Sequence, residues 1–207
     1  MRLIFRSLLI FILSLLWVLP SQAKTLDELQ STLKSIECLR ADFSQEKSVK
    51  ELGTSLKSSG RMLLDSKRGL VWLQTVPFEM QLNAGAESFT QRVGKTDPVS
   101  LDAKSNPQLF EIVSCLFSVL RGDSEAIEKN FDLWYKEGQK DSDWSLLLTP
   151  KTSALKMVFR KIELTGQRYI EQVKLYDSQD ETTSIVFSNI KDTPDTLTSE
   201  EEKYFEQ

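Results

Sequence analysis

Residues 39–45 read Leu-Arg-Ala-Asp-Phe-Ser-Gln, and this short stretch decides the kind of fold that the chain can adopt. Leu39, Ala41 and Phe43 alternate with polar neighbours, which is the pattern of a β-strand with one buried face. The same two-residue period recurs along most of the chain between turn-forming residues. The sequence predicts about ten short strands, at residues 39–45, 56–64, 70–75, 78–82, 88–93, 131–135, 144–148, 155–164, 173–175 and 185–187.

Two segments break this period and are predicted to be helices. Residues 25–36 have one apolar face at helical spacing and would pack on a core. Residues 106–122 begin with Asn-Pro and end at Gly, which are favourable start and stop signals. This second helix is apolar around most of its circumference but, at roughly 15 residues, too short to span a membrane. It is therefore either a central core helix or a lid over an apolar cavity, and the residues leave both interpretations open.

The number of strands and the apolar helix together constrain the architecture. A flat sheet of this size would leave long exposed edges and a bare apolar face. A strongly bent sheet wrapped around apolar helices removes both problems and leaves a concave apolar space for a ligand. The tail after Lys191 is acidic and has few apolar residues, so it is expected to be loosely held.

The first 23 residues have the composition of a secretory signal peptide. Two arginines precede an apolar run at residues 8–18, and small residues stand at positions 21 and 23. The run is shorter than a membrane span, which favours a cleaved signal peptide. The alternative is an uncleaved N-terminal anchor. No cysteine directly follows the run, so lipidation is not expected. We expect residues 1–23 to be removed and residues 24–207 to form a single domain in the periplasm.

The composition disfavours several classes of function. The chain has no histidine, which removes the usual general base and every Ser-His or Cys-His pair. It also lacks a G-x-S-x-G motif, so a lipid hydrolase or acyltransferase is disfavoured, and no enzyme activity, cofactor or metal site is expected. Acidic residues outnumber basic ones 30 to 26 and no basic cluster occurs, so nucleic acid is not an expected partner.

The two cysteines, Cys38 and Cys115, leave one question open. An oxidising compartment permits a disulfide between them, and such a bond would tie the end of the first helix to the second helix. Two buried thiols are an equally good interpretation, because two cysteines do not make a disulfide framework.

Three motifs in this order resemble those of one known family. The strand at residues 39–45 follows a first helix, Gly60 precedes Trp72 and Pro77, and residues 148–151 read Leu-Thr-Pro-Lys at the end of a strand. Because the three motifs follow a predicted signal peptide in this order, the chain resembles the LolA family, whose members are periplasmic carriers of outer-membrane lipoproteins. The resemblance extends over nearly the whole chain after the signal peptide.

The resemblance implies an α+β, mainly β fold: an unclosed antiparallel β-barrel, or half-barrel, with helices plugging its concave face. It implies a monomeric carrier that shields the acyl chains of lipoproteins in a hydrophobic cavity. Such a carrier takes its cargo from an inner-membrane transporter, gives it to an outer-membrane acceptor and touches membranes only transiently. The alternatives are a carrier of another acylated lipid that works with a lipid exporter, a lipid- or lipoprotein-sensing adaptor, and a structural envelope domain.

The expected cavity residues are apolar positions of the strands and of the lid. A one-residue error in register would exchange the inner and outer sets. The strands supply Phe43, Met62, Leu64, Leu73, Met80, Leu82, Leu133, Leu146 and Leu148, and the lid supplies Leu109, Ile112, Val113, Leu116 and Phe117. The family holds its lid shut with an arginine, and the candidate latch is Arg68, which lacks the proline that follows it in the family.

Overall fold

The computed structural model of the chain describes residues 26–85, 88–102, 114–115, 117–137 and 144–206. The predicted signal peptide and four predicted lid residues, Leu109, Ile112, Val113 and Leu116, lie outside these ranges. Within them, no helix combines the length and the apolar content that crossing a bilayer requires.

The described residues form eleven strands and several short helices. The helices are α1 (Leu26–Lys34), α2 (Ser124–Asn130), α3 (Ser153–Val158) and α4 (Ser199–Phe205), and residues 117–120 are also helical. The strands are β1 (Cys38–Val49), β2 (Thr54–Asp65), β3 (Gly69–Val76), β4 (Met80–Ala84), β5 (Ser88–Val93), β6 (Val99–Asp102), β7 (Phe131–Glu137), β8 (Trp144–Pro150), β9 (Phe159–Gly166), β10 (Ile170–Asp177) and β11 (Thr182–Lys191).

All eleven strands lie in one antiparallel sheet, in the order β6-β5-β4-β3-β2-β1-β11-β10-β9-β8-β7. The chain builds outward from β1 to the edge strand β6, crosses to the other edge at β7, and returns until β11 lies beside β1. Because β6 and β7 stand at opposite edges, the barrel is not closed. This confirms the predicted fold class, a mainly β, unclosed antiparallel barrel with helices.

The two faces of the sheet differ in what covers them. The inner face carries the large apolar core, to which α1, residues 117–120 and α2 contribute. The outer face carries a small cluster formed by Cys38, Leu63 and Val71. The alternation of β1 explains this division, since Leu39, Ala41 and Phe43 enter the core while the residues between them face outward.

Gly60 allows aromatic side chains to meet on the inner face. It pairs with Phe43 on one side and with Gln74 on the other, next to a register shift at which β3 has one extra residue, Thr75. With no side chain at this position, the rings of Phe43 and Trp72 stack across β2, with centroids 3.7 Å apart. An added Cβ would collide with the carbonyl oxygen of Leu73, so the backbone itself requires glycine here.

The structure contradicts the strand that was predicted to begin at Leu155. Residues 153–158 form helix α3, and Thr152 caps it by accepting a hydrogen bond from the Leu155 amide at 3.3 Å. Strand β9 begins only at Phe159. Leu155 and Met157 are two residues apart, so a strand would turn both to the same face, but Leu155 is buried and Met157 is exposed. The buried residues Ala154 and Leu155 are instead adjacent, which fits one face of a helix.

The C-terminal segment (residues 192–206) is held against the outer face, contrary to the expected loose tail. Leu197, Tyr204 and Phe205 pack on the Cys38–Leu63–Val71 cluster. Helix α4 starts with a capping box, in which Thr198 and Glu201 bond each other's backbone. The segment therefore covers apolar side chains that β1, β2 and β3 turn outward.

Candidate functional site on the inner face

The apolar inner face is the candidate site, because most predicted cavity residues within the described ranges meet there. Cross-strand pairing brings them together, since Ala41 pairs with Met62 and Tyr135 with Leu146, and partners share a face. Of the predicted residues, the buried ones on this face are Phe43, Met62, Leu64, Leu146 and Leu148, and the half-buried ones are Leu133 and Phe117.

The inner face continues beyond this core onto β4, β5 and β6. Met80 and Leu82 pair with Gln74 and Trp72, so both lie on the inner face, where they are half-buried. Val93 pairs with Met80, and it is 41% exposed. Val99 shares the same face and is 62% exposed. The apolar face is thus well covered near β1 and β8 and increasingly open toward the β6 edge.

In the part of the chain that the structure describes, three helical elements form a cover over the core: α1, residues 117–120 and α2. The side chains that they bury are Leu29, Leu33, Val119 and Ile127. Gly122, with φ of +64°, ends the turn at 117–120 and lies against Leu33, where an added Cβ would collide with that side chain. Glycine at this position therefore lets two parts of the cover approach each other closely.

The cavities between the cover and the sheet are small. One of about 20 Å³ lies between α1, α2 and the strands β7, β8 and β9. Another of about 10 Å³ lies between α1 and the strands β1, β2 and β11. Such volumes hold about one water molecule each. An acyl chain can therefore enter this region only if the cover moves away from the sheet.

The cover contacts the sheet mainly through apolar side chains. One polar contact satisfies an end of the cover itself, since Asp123 caps α2 by accepting from the Ala126 amide at 3.2 Å. At the margin, Lys151 Nζ donates to the Glu128 carbonyl oxygen at 2.7 Å. Apolar contact is not directional, so another apolar surface can replace the cover with few buried hydrogen bonds left unmade.

The structure contradicts the predicted position of Leu73. Strand β3 turns Leu70 and Trp72 toward the inner core and Leu73 toward the outer-face cluster. The run at residues 70–73 is apolar on both faces, so the two-residue period alone does not select the inner set.

The candidate latch residue Arg68 contacts the C-terminal helix, and the two cysteines lie on opposite faces of the sheet. Arg68 Nη2 donates to Glu202 of α4 at 2.9 Å, on the outer side. Cys38 belongs to the outer-face cluster, whereas Cys115 belongs to the inner core. The sheet separates the two cysteines, and no disulfide joins them.

Sequence reasoning missed two tryptophans of the inner face. Trp72 stacks on Phe43 and meets Phe187 edge to face, with centroids 6.2 Å apart. Trp144 is completely buried, and its Nε1 donates to the Gln167 carbonyl oxygen at 2.7 Å. The two-residue period of a strand could have identified both. Trp72 lies two residues after Leu70, and Trp144 lies two residues before Leu146, so each shares the inner face with its neighbour.

Perturbed ionisable groups lie mainly on the outer face rather than in the core. Hydrogen bonds from Arg40 lower the pKa of Glu201 to about 2, and burial raises the pKa of the Cys38 thiol. In the described ranges, no group of three or more His, Cys, Asp or Glu side chains is placed to hold a metal ion. The described residues of the inner face offer a ligand apolar burial.

Comparison with known proteins identifies one matching family model and several solved structures with a similar fold. The family model described as "Outer membrane lipoprotein carrier protein LolA" matches residues 34–200. Comparison with curated protein sequences gives no significant match.

Three solved structures illustrate the similarity of fold. A LolA superfamily protein from Nitrosomonas europaea is 11% identical with a TM-score of 0.46, over 88% of this chain and 98% of that one. A DUF1329 family protein from Desulfovibrio piger is 11% identical with a TM-score of 0.47, over 87% and 94%. The MucA/MucB complex of Pseudomonas aeruginosa gives 14% identity and a TM-score of 0.38, over 80% and 56%.

Proposed function

This chain belongs to the LolA family of outer-membrane lipoprotein carrier proteins, and we propose that it shelters the acyl chains of a lipoprotein on its apolar inner face. In this proposal residues 1–23 are a cleaved signal peptide and residues 24–207 act as one domain in the periplasm. The donor is an inner-membrane transporter and the acceptor is an outer-membrane protein. No cofactor is involved, because transfer requires no covalent step.

The observation that carries the proposal is the apolar cover over a nearly filled inner face. Four cover side chains are buried against the sheet, and the cavities beneath them hold about one water each. A cover of this kind hides the part of the apolar face near β1 and β8 when no cargo is present, which limits aggregation. When it moves, it exposes the same face to an acyl chain.

The energies of the two states are of similar size. Exposing four buried aliphatic side chains costs about 6–12 kcal/mol, at about 1.5–3 kcal/mol each. Hiding an acyl chain of about 15 methylenes returns about 12 kcal/mol, at about 0.8 kcal/mol per methylene. Because the cost offsets half or more of the gain, cargo binding stays far weaker than burial of the acyl chain alone would make it, and release remains possible, as a carrier needs.

A matched pair of variants on β7 tests the proposal. Leu133 faces the inner core, whereas its neighbour Trp134 is 74% exposed on the other face. We expect Leu133→Gln to weaken the uptake of a fluorescent fatty acid by at least about tenfold, because a buried amide replaces apolar lining. Trp134→Gln should change uptake less than about twofold. Fluorescence titration measures both, and circular dichroism verifies that the sheet is retained.

Equal losses in the two variants, or no uptake by the unmodified protein, would contradict the proposal. The class of cargo needs a separate measurement, namely mass spectrometry of lipids and lipoproteins that copurify from the periplasm. A copurifying lipoprotein supports the carrier. Another acyl lipid supports the carrier that works with a lipid exporter, and ligand binding without transfer between membranes supports the adaptor.

A further inference from the structure

Exposed apolar side chains are concentrated at one end of the barrel. In the described ranges eight large apolar residues are exposed, and six lie at the end that carries the β1–β2, β3–β4, β5–β6, β8–β9 and β10–β11 connections. We call these six the apolar end: Leu56, Val76, Phe78, Val93, Val99 and Met157. The other two, Trp134 and Val186, lie in the middle of β7 and β11.

The described turns at the opposite end are polar. They read Ser-Lys-Arg at residues 66–68 and Gln-Arg-Tyr at residues 167–169. The connections at the apolar end also carry polar residues, such as Ser-Gln-Asp-Glu at residues 178–181, but Phe78 lies in the turn between β3 and β4 with 54% of its surface exposed. Isolated exposed apolar residues are ordinary, but a group of them at one end indicates an interaction surface.

The apolar end is continuous with the inner face. Val93 pairs with Met80, and Leu82 follows two residues later on the same face. Leu82 in turn pairs with Trp72, which stacks on Phe43 in the core. An apolar path therefore leads from the exposed end of β5 to the aromatic core without crossing a charged side chain.

The shape and charge of the apolar end favour a bilayer as its partner. Its side chains project from turns and strand ends and line none of the cavities named above, so they suit a fluid phase that conforms to them. The five connections at this end, residues 50–53, 77–79, 94–98, 151–158 and 178–181, carry four lysines and five acidic residues. With charges this nearly balanced, attraction to anionic lipid is not expected, and contact must come from apolar burial.

We propose that the apolar end is a membrane-docking surface that contacts the interfacial region of a lipid bilayer reversibly. Docking there places the open part of the inner face next to the lipid phase, so that an acyl chain can pass between them without crossing water. The statement that an acyl chain passes between the bilayer and the inner face rests on the proposed function. The docking itself rests on the six exposed side chains.

Flotation of the purified protein with phosphatidylcholine vesicles tests the proposal. We expect the double variant Phe78→Ser with Met157→Ser to reduce the vesicle-bound fraction at least about tenfold, and Trp134→Ser to change it less than about twofold. Trp134 is the most exposed of the eight residues, so it is the matched control for apolarity away from this end. Binding should persist in high salt, because it does not depend on charge.

Three outcomes would overturn the proposal: no flotation of the unmodified protein, equal losses in the double variant and in Trp134→Ser, or binding that requires anionic lipid and disappears in salt. Uptake of a fluorescent fatty acid without vesicles is measured in parallel. A double variant that loses flotation but keeps uptake supports docking and leaves the carrier function intact. Flotation without any uptake supports docking and contradicts the carrier function.

Discussion

The ion pair between Arg40 and Glu201 fastens the C-terminal segment to the outer face, and Glu201→Gln tests its contribution. Arg40 Nε and Nη2 donate to the two carboxylate oxygens of Glu201 at 2.6 and 2.7 Å. Arg40 also donates to the carbonyl oxygens of Pro194 and Thr196, both at 2.8 Å. The two side chains are only 19% and 20% exposed, so water screens the pair less than it screens an ordinary surface pair.

The size of the effect follows from the pKa of Glu201, which falls from its ordinary value of 4.5 to about 2. Because the folded protein has the lower pKa, the contribution is fully present above about pH 4.5 and is lost as the pH falls to about 2. The difference between the two values corresponds to about 3 kcal/mol of unfolding free energy as an upper limit.

We expect Glu201→Gln to lower the unfolding free energy by up to about 3 kcal/mol at pH 7 and by progressively less toward pH 2, as measured by urea titration. The matched control is Glu200→Gln, because Glu200 adjoins Glu201 and makes an exposed pair with Lys203. That substitution should change the free energy by less than about 0.5 kcal/mol. Equal effects of the two, or a Glu201→Gln deficit that stays constant as the pH falls, would refute the reasoning.

Three further outcomes are expected. Gly60→Ala should lower the unfolding free energy by about 1–3 kcal/mol in urea titration, because the added Cβ meets the Leu73 carbonyl oxygen; an unchanged midpoint contradicts this. Phe43→Ala should cost about 3–5 kcal/mol in the same assay, because it empties a buried aromatic stack; a loss below 1 kcal/mol would mean that the core refills. Cys38, beneath the C-terminal segment, should be alkylated slowly in the unmodified protein and faster in Glu201→Gln, as followed by mass spectrometry; equal rates would show that the segment does not protect it.

The alternation of single strands was readable from the sequence where only one face is apolar. Leu39, Ala41 and Phe43 alternate with polar residues, and the structure buries all three in the inner core. Such a strand has one register that hides its apolar set, so the pattern determines the facing. The unclosed barrel was predicted from the resemblance of three motifs to a known family. Strands β1 and β11 are far apart in the sequence, so their pairing leaves no local sequence pattern.

The facing of β3 could not be read in the same way. Its residues 70–73 are all apolar, and the reason lies in the C-terminal segment, which covers the outward-facing Val71 and Leu73. The few apolar residues of that segment gave no periodic signal. Its capping box, Thr198 with Glu201 three residues later, was nevertheless readable and would have predicted an ordered helix.

The place of β1 between β2 and β11 governs how the molecule can be assembled. The strand made first completes its hydrogen bonding only with the strand made last, and such distant pairing slows folding. While the chain is being synthesised, β2 to β6 can form a meander beside β1, but one edge of β1 stays open until residues 182–191 emerge. An open edge next to Leu39 and Phe43 is a template for aggregation. The nascent chain should therefore depend on chaperones until its final strand arrives.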